Sequence, residues 1–99
     1  MSDYTEFVAP NRRRIIIETL NSDPDYSHND AVLRSWLIKM GHKVSADVLR
    51  SDLAWLEEQG LITTSRMVGV WVARLTERGV DAATGAVVIP GIERQRPQR

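Results

Sequence analysis

SADVLRSDLAWLEEQGLITTSRMVGVWVARL, residues 45 to 75, carries a helix start, an apolar stripe, a stop and two β-type runs in one unbroken segment. Ser45 can cap a helix, because its hydroxyl accepts from a first-turn N–H that has no intrahelical partner. Asp47 stands near the positive end of the helix dipole. Ala46, Leu49, Leu53 and Leu56 recur at helical spacing and predict the buried stripe of helix three, flanked by Val48 and Trp55. Asp47, Arg50, Ser51, Ala54 and Glu58 fall on the opposite arc. Gly60 ends the helix as its C′ residue. Leu61 to Arg66 and Val70 to Leu75 are rich in β-branched residues plus Trp71, and a short turn with Gly69 joins them into a hairpin.

Working outward, Gly41-His42-Lys43-Val44 is a short link to a preceding helix. Val44 is expected as an apolar staple against helix three. Helix two is predicted over Asn29 to Met40, capped by Ser27 or Asn29 and stopped by Gly41. Val32, Leu33, Trp36, Leu37 and Met40 form its apolar face. Ile38 points away, as an ordinary exposed apolar residue or part of a contact patch. On the other side of the hairpin, Thr76 caps a fourth helix with Glu77 in its first turn, ending near Gly85. Two helices joined by a turn containing glycine, then a hairpin, predict an α+β fold. It is a winged helix-turn-helix with a three-helix core, a β-hairpin wing and a C-terminal helix.

The ends are read less directly. Residues 3–9 have room for a turn of helix, capped by Asp3 or Thr5. Pro10 disfavours helix at Ala9 and tolerates a new start, so helix one is expected over Asn11 to Leu20 with Asn11 as N-cap. Arg12, Arg13 and Arg14 then occupy its first turn, as a solvated cluster or as contacts to phosphate or an acidic partner. Ile16, Ile17 and Leu20 share one face. Ile15 lies opposite, as a partner contact or covered by the N-terminal segment. Asn21 to Asp25 is a loop. Val87-Val88-Ile89 is a short strand or an extended arm, broken by Pro90-Gly91, and the polar, basic tail from Glu93 to Arg99 is expected to be disordered. The division is an N-terminal segment, 1–10, a winged-helix domain, 11–85, and an arm with a basic tail, 86–99.

Composition narrows the function. The 99 residues are one domain's worth, 42% hydrophobic, with no cysteine. Disulfides and thiolate metal sites are excluded, and a reducing cytosol is compatible. There is no apolar run of membrane-spanning length and no secretory h-region, so no membrane partner is expected. Thirteen basic residues balance thirteen acidic ones. Any nucleic-acid binding therefore needs local patches, dimerisation or a partner. Catalytic signals are poor. His28 and His42 lack ligand-spaced neighbours, there is no phosphate loop, and the adjacent Glu57 and Glu58 point about 100° apart. No enzyme activity, metal or cofactor is expected.

Helix three resembles the recognition helix of DeoR-type bacterial winged-helix repressors. The matching residues are Ser45, Val48-Leu49-Arg50-Ser51-Asp52-Leu53, Leu56-Glu57 and Gly60-Leu61. Leu75-Thr76-Glu77-Arg78-Gly79 resembles the Leu-Thr-Glu-x-Gly run that follows the wing in many winged-helix regulators. The whole chain is similar to small Mu-like prophage proteins labelled ArsR-like by fold. That likeness includes Arg50 to Leu56, Val70 to Ala73, Leu75 to Gly79 and Val88 to Gly91. The metal-sensing cysteines of true ArsR sensors are absent, so metal sensing is not implied. The resemblance implies DNA contacts at Ser45, Arg50 and Ser51, the last replacing a second arginine of the DeoR-type pattern.

Helix three itself is acidic. From Ser45 to Gln59, Arg50 stands against Asp47, Asp52, Glu57 and Glu58, a net charge of −3. Two functions follow. One is double-stranded DNA binding in phage or prophage transcription regulation, as a homodimer reading two half-sites, with Lys43, Ser45, Arg50, Ser51 and Arg66 as contacts. The dimer surfaces are then the segment with Ile15, or helix four with the arm to Ile89. The other is a winged-helix protein-interaction module in phage particle assembly, favoured by the balanced charge and by Ile15 and Ile38.

Overall fold

A computed structural model describes residues 3–94. The elements run α1 (Asp3–Ser22), β1 (Ser27–Asn29), α2 (Asp30–Lys39), α3 (Ala46–Glu58), β2 (Ile62–Met67), β3 (Val70–Leu75) and α4 (Glu77–Thr84). The three strands form one antiparallel sheet in the order β1-β3-β2. This is the expected α+β winged helix, with one additional strand. Residues 95–99 of the basic tail lie outside the described residues.

The deciding stretch folds as its residues dictate. Ser45 caps α3, its side chain accepting from the Val48 N–H. Leu49, Leu53 and Leu56 are buried, while Ala46 at the helix mouth is exposed. Gly60 adopts φ +76°, a left-handed conformation that costs an L side chain energy. The hairpin is one residue later than expected at both ends of its first strand. Its two-residue turn, Val68-Gly69, sets the register Met67↔Val70, Arg66↔Trp71 and Thr64↔Ala73. Thr76 caps α4 by accepting from the Gly79 N–H. Gly79 lies against the hairpin base: a Cβ there would stand 2.1 Å from the Leu61 carbonyl oxygen.

Helix one differs from expectation. Pro10 does not divide it; residues 3–22 are continuous, with Pro10 inside. Asn11 is therefore no N-cap, and Arg12 to Arg14 are no first turn. An interior proline normally costs about 3 kcal/mol or more. Here tertiary contacts hold both sides: Ala9 and Arg12 are buried, and the Pro10 carbonyl accepts from the Glu93 N–H at 3.2 Å. The three arginines are not a solvated cluster either, since Arg12 and Arg14 are buried.

Strand β1 was not expected. Ser27-His28-Asn29 has no β-branched or apolar residue; it pairs with the edge of β3 that β2 leaves open. Tyr26, at φ 59°, turns the chain into it, and its carbonyl accepts from the Leu75 N–H at 2.8 Å. Asn29 is the N-cap of α2, accepting from Val32, and excludes Ser27 from that role.

The core joins Ile16, Ile17 and Leu20 of α1 to Leu33 and Leu37 of α2, to the α3 leucines and to the hairpin base. Ile15, Val44 and Trp55 pack against it while partly exposed. The arm after α4 is neither strand nor free. Ile89 and Ile92 are buried in the same core, and Val88 is exposed. The apolar run has its partners inside the chain, which removes the reason to expect it to pair with another subunit.

Candidate nucleic-acid interface

The exposed edge of α3 and the wing meet at Trp71. Arg66 is paired directly opposite Trp71 in the hairpin, and its guanidinium stacks 3.8 Å from the indole centroid. Arg50, from the outer arc of α3, is 5.4 Å from the same ring. The cation–π field of one indole thus gathers two of the five expected contact residues.

Arg50 is bound on three sides. Its Nε and Nη2 donate to Asp30 Oδ2 at 2.8 and 2.6 Å, and Nη2 also donates to the Gly69 carbonyl at 2.9 Å. Asp30 opens α2, and its other oxygen accepts from the Trp71 N–H at 3.4 Å. Burial pushes the Asp30 carboxyl up, but the Arg50 hydrogen bonds, the Trp71 N–H and the guanidinium charge outweigh it and hold its pKa below the ordinary value. The network ties α2, α3 and the wing turn together beside a cleft of about 290 Å³. Arg50 therefore positions the wing relative to the helix.

Arg66 is more accessible. Its Nη2 donates to Glu57 Oε1 at 3.3 Å, with side chains 50% and 38% exposed. Glu57 also accepts from the Thr64 N–H and hydroxyl at 3.2 and 2.9 Å, so this acid anchors the hairpin. Lys43, Ser45 and Ser51 are exposed. Lys43 lies in the link before α3 and Ser45 at its cap, whereas Ser51 follows Arg50 on the outer arc. Arg34 on α2 braces this link, donating from Nε to the Val44 carbonyl at 2.8 Å. The wing tip is apolar: Met67 is 72% and Val68 100% exposed.

The reverse side of α3 explains part of its acidity. Asp52 is buried and accepts from Arg12, through Nε and through Nη2 at 3.2 Å, and from Arg13 Nε at 3.4 Å. Arg13 lies 4.1 Å from the Trp55 centroid and donates to the Gly91 carbonyl at 3.1 Å. Arg14 donates to Glu18 and to the carbonyls of Ala83 and Glu93. The three arginines fasten α1 to α3, α4 and the arm. Nearby, His42 donates from Nε2 to Asn11 Oδ1 at 2.6 Å. Burial and the Arg12 charge lower its pKa, against an opposing pull from Asp52.

Sequence reasoning missed Asp30, Trp71 and Glu57. Trp71 was within reach, because a two-residue turn places it opposite Arg66. Asp30 is 20 residues from Arg50, and no local periodicity links them.

No protein-family model matches the chain. A chain in the solved complex structure of hsRosR-S4 superposes with a TM-score of 0.62 at 17% identity, covering 85% of this chain and 65% of that one. This chain thus spans just under two thirds of that neighbour, and the likeness establishes a shared fold. Among sequences, an uncharacterized protein of Haemophilus influenzae is 34% identical over 82 residues, covering 82% of this chain and 79% of its own. The protein gp26 of Escherichia phage Mu, also uncharacterized, is 37% identical over 93 residues, covering 94% of this chain and 96% of gp26. The chain belongs to the family of phage Mu gp26.

Proposed function

We propose that this protein binds double-stranded DNA through the α3 edge and the wing, as a homodimeric transcription regulator of a Mu-like phage or prophage in the host cytoplasm. The reading assigns no catalysis. One observation carries it: two of the four α3 acids are engaged within the chain. Asp52 is held by Arg12 and Arg13, and Glu57 by Thr64 and Arg66. Glu58 lies at the C-terminal end of the helix. On the half that would enter a groove only Asp47 remains, beside Ser45, Ser51 and Lys43, while Arg50 and Arg66 offset Asp30 and Glu57. The net charge of −3 in the sequence overstates the negative field a phosphate backbone would meet. The DeoR-type resemblance of α3 supports the same assignment.

In this reading Lys43 and Arg66 contact phosphate, Ser45 and Ser51 touch the groove edge, and Arg50 sets the wing and adds charge. The test is duplex binding at low salt with fragments of the cognate phage genome. Binding that weakens with salt, and weakens further in Arg66→Ala, supports it. Absence of binding to every fragment overturns it.

A second reading is favoured by the wing tip. Met67 and Val68 form an exposed apolar knob where a phosphate-binding wing would gain from polar or basic residues. Such a knob suits insertion into a protein pocket, as in a particle-assembly module. Met67→Ser with Val68→Ser separates the two: DNA affinity within a factor of two favours the protein contact, and lost affinity places the tip on DNA.

A further inference from the structure

Val32 and Trp36 of α2 and Met40, its C-cap, lie at i, i+4 and i+8 and are 44%, 42% and 49% exposed. They were expected in the core, but only Leu33 and Leu37 reach it. Single exposed apolar residues are ordinary; three large ones in one helical row are an unpartnered ridge. Trp36 stands between two grooves. One, of about 240 Å³, is lined by Ile15, Thr19 and Met40 on the α1 side. The other, of about 440 Å³, is lined by Ala31, Val32 and Ser35 on the far side.

We propose that the occupant of this ridge is a second copy of the chain, related by a two-fold axis near Trp36. A ridge of i±4 spacing packs against another of its kind in the commonest class of helix contact. A two-fold interface uses one patch twice, so it must be complementary to itself. This patch is, in shape and in charge. Rotation about an axis that lies in the face and runs along the ridge exchanges its two sides, so the α1-side groove of one copy faces the far-side groove of the other. The α1-side groove carries Glu18 and the far-side groove carries Lys39. The same rotation brings each Lys39 rim onto a Glu18 rim. Glu18 binds Arg14 through one oxygen, and its side chain remains 45% exposed. This centres the dimer of the proposed function on α2, with Ile15 at its edge from one of the two surfaces expected from sequence.

The test needs no DNA, so its failure leaves the DNA-binding reading intact and is distinguishable from it. Sedimentation velocity of the full chain at about 100 μM should show a dimer, and Trp36→Ser should be monomeric there with unchanged far-UV circular dichroism. Charge reversal supplies the stricter readout. Lys39→Glu alone and Glu18→Lys alone each place like charges at both contacts, and each dimer should dissociate roughly tenfold more readily. An equimolar mixture of the two variants should recover a heterodimer of wild-type affinity, because both contacts then pair opposite charges. A wild-type monomer at that concentration, a dimer indifferent to Trp36→Ser, or a mixture no tighter than either variant overturns the proposal.

Discussion

Two arginine-bound aspartates tie α3 to α1 and α2, and they differ in burial. Arg12–Asp52 lies between α1 and α3 with side chains 8% and 4% exposed; Arg50–Asp30 lies between α3 and α2 with 30% and 10%. The chemistry is the same and the consequences differ. A buried pair cannot release its arginine without stranding a carboxylate away from water, so it serves architecture alone. A pair at the rim, beside a cleft and under the wing turn, can share its cation with an incoming anion. Arg66–Glu57 extends the series to the surface. Along it the arginines change from fasteners to available charge.

The largest effect should come from the innermost pair. Asp52→Ala strands Arg12 in the core and should cost about 3–5 kcal/mol in urea unfolding. Replacing both partners by apolar residues, Arg12→Met with Asp52→Leu, should recover most of that loss. A single variant within about 0.5 kcal/mol of wild type would show that the pair is not buried in solution.

Arg50→Ala should come next. It leaves Asp30 without its main partner and should cost about 1–3 kcal/mol. Because Arg50 also holds the Gly69 carbonyl, amide hydrogen exchange should accelerate in the wing turn and leave the α1–α3 leucines protected. Uniform acceleration would show that Arg50 supports the whole fold and not the wing.

Arg66→Ala should change stability by no more than about 0.5 kcal/mol, as for an exposed pair. The wing amides should keep their protection.

The smallest effect is that of pH. His42 has a lowered pKa, so the unfolded chain takes up its proton first as pH falls. Its contribution is complete above the ordinary histidine value and is lost as pH drops toward the folded value. Asp30, also lowered, adds a second loss below the ordinary carboxylate range. His42→Gln should flatten the upper step in thermal melts and leave the lower one. A melting temperature that rises on acidification through the histidine range would contradict the assignment.

The same contrast explains what was legible in the sequence. Residues 45–85 declare themselves through local signals: the Ser45 and Thr76 caps, the leucine stripe, and glycines where the backbone turns left-handed. Helix α1 did not, because Pro10 is a local breaker overruled by contacts with a segment some 80 residues away, Glu93 among them. Strand β1 has no side-chain signal, since its stability comes from the backbone edge of β3. The whole α2 apolar face is expected in the core, and three of its five residues lie exposed, because periodicity reports which residues share a face, not whether the rest of the chain covers it. Among the candidate contacts, Lys43, Ser45 and Ser51 lie exposed, and Ser51 does so as the helix phase implies. Arg50 is expected as a DNA contact, and helical phase does not reveal the Asp30 that another element supplies to it.

The central claim is that the outer edge of α3 and the wing form a DNA-binding surface. Fluorescence anisotropy with labelled duplexes from the cognate phage genome, beginning at about 50 mM salt, tests it most directly. Affinity should fall linearly on a log–log salt plot, and Arg66→Ala should weaken binding on all sequences while reducing the slope by about one. Absence of binding at that salt, or binding with the same slope in wild type and Arg66→Ala, would contradict it.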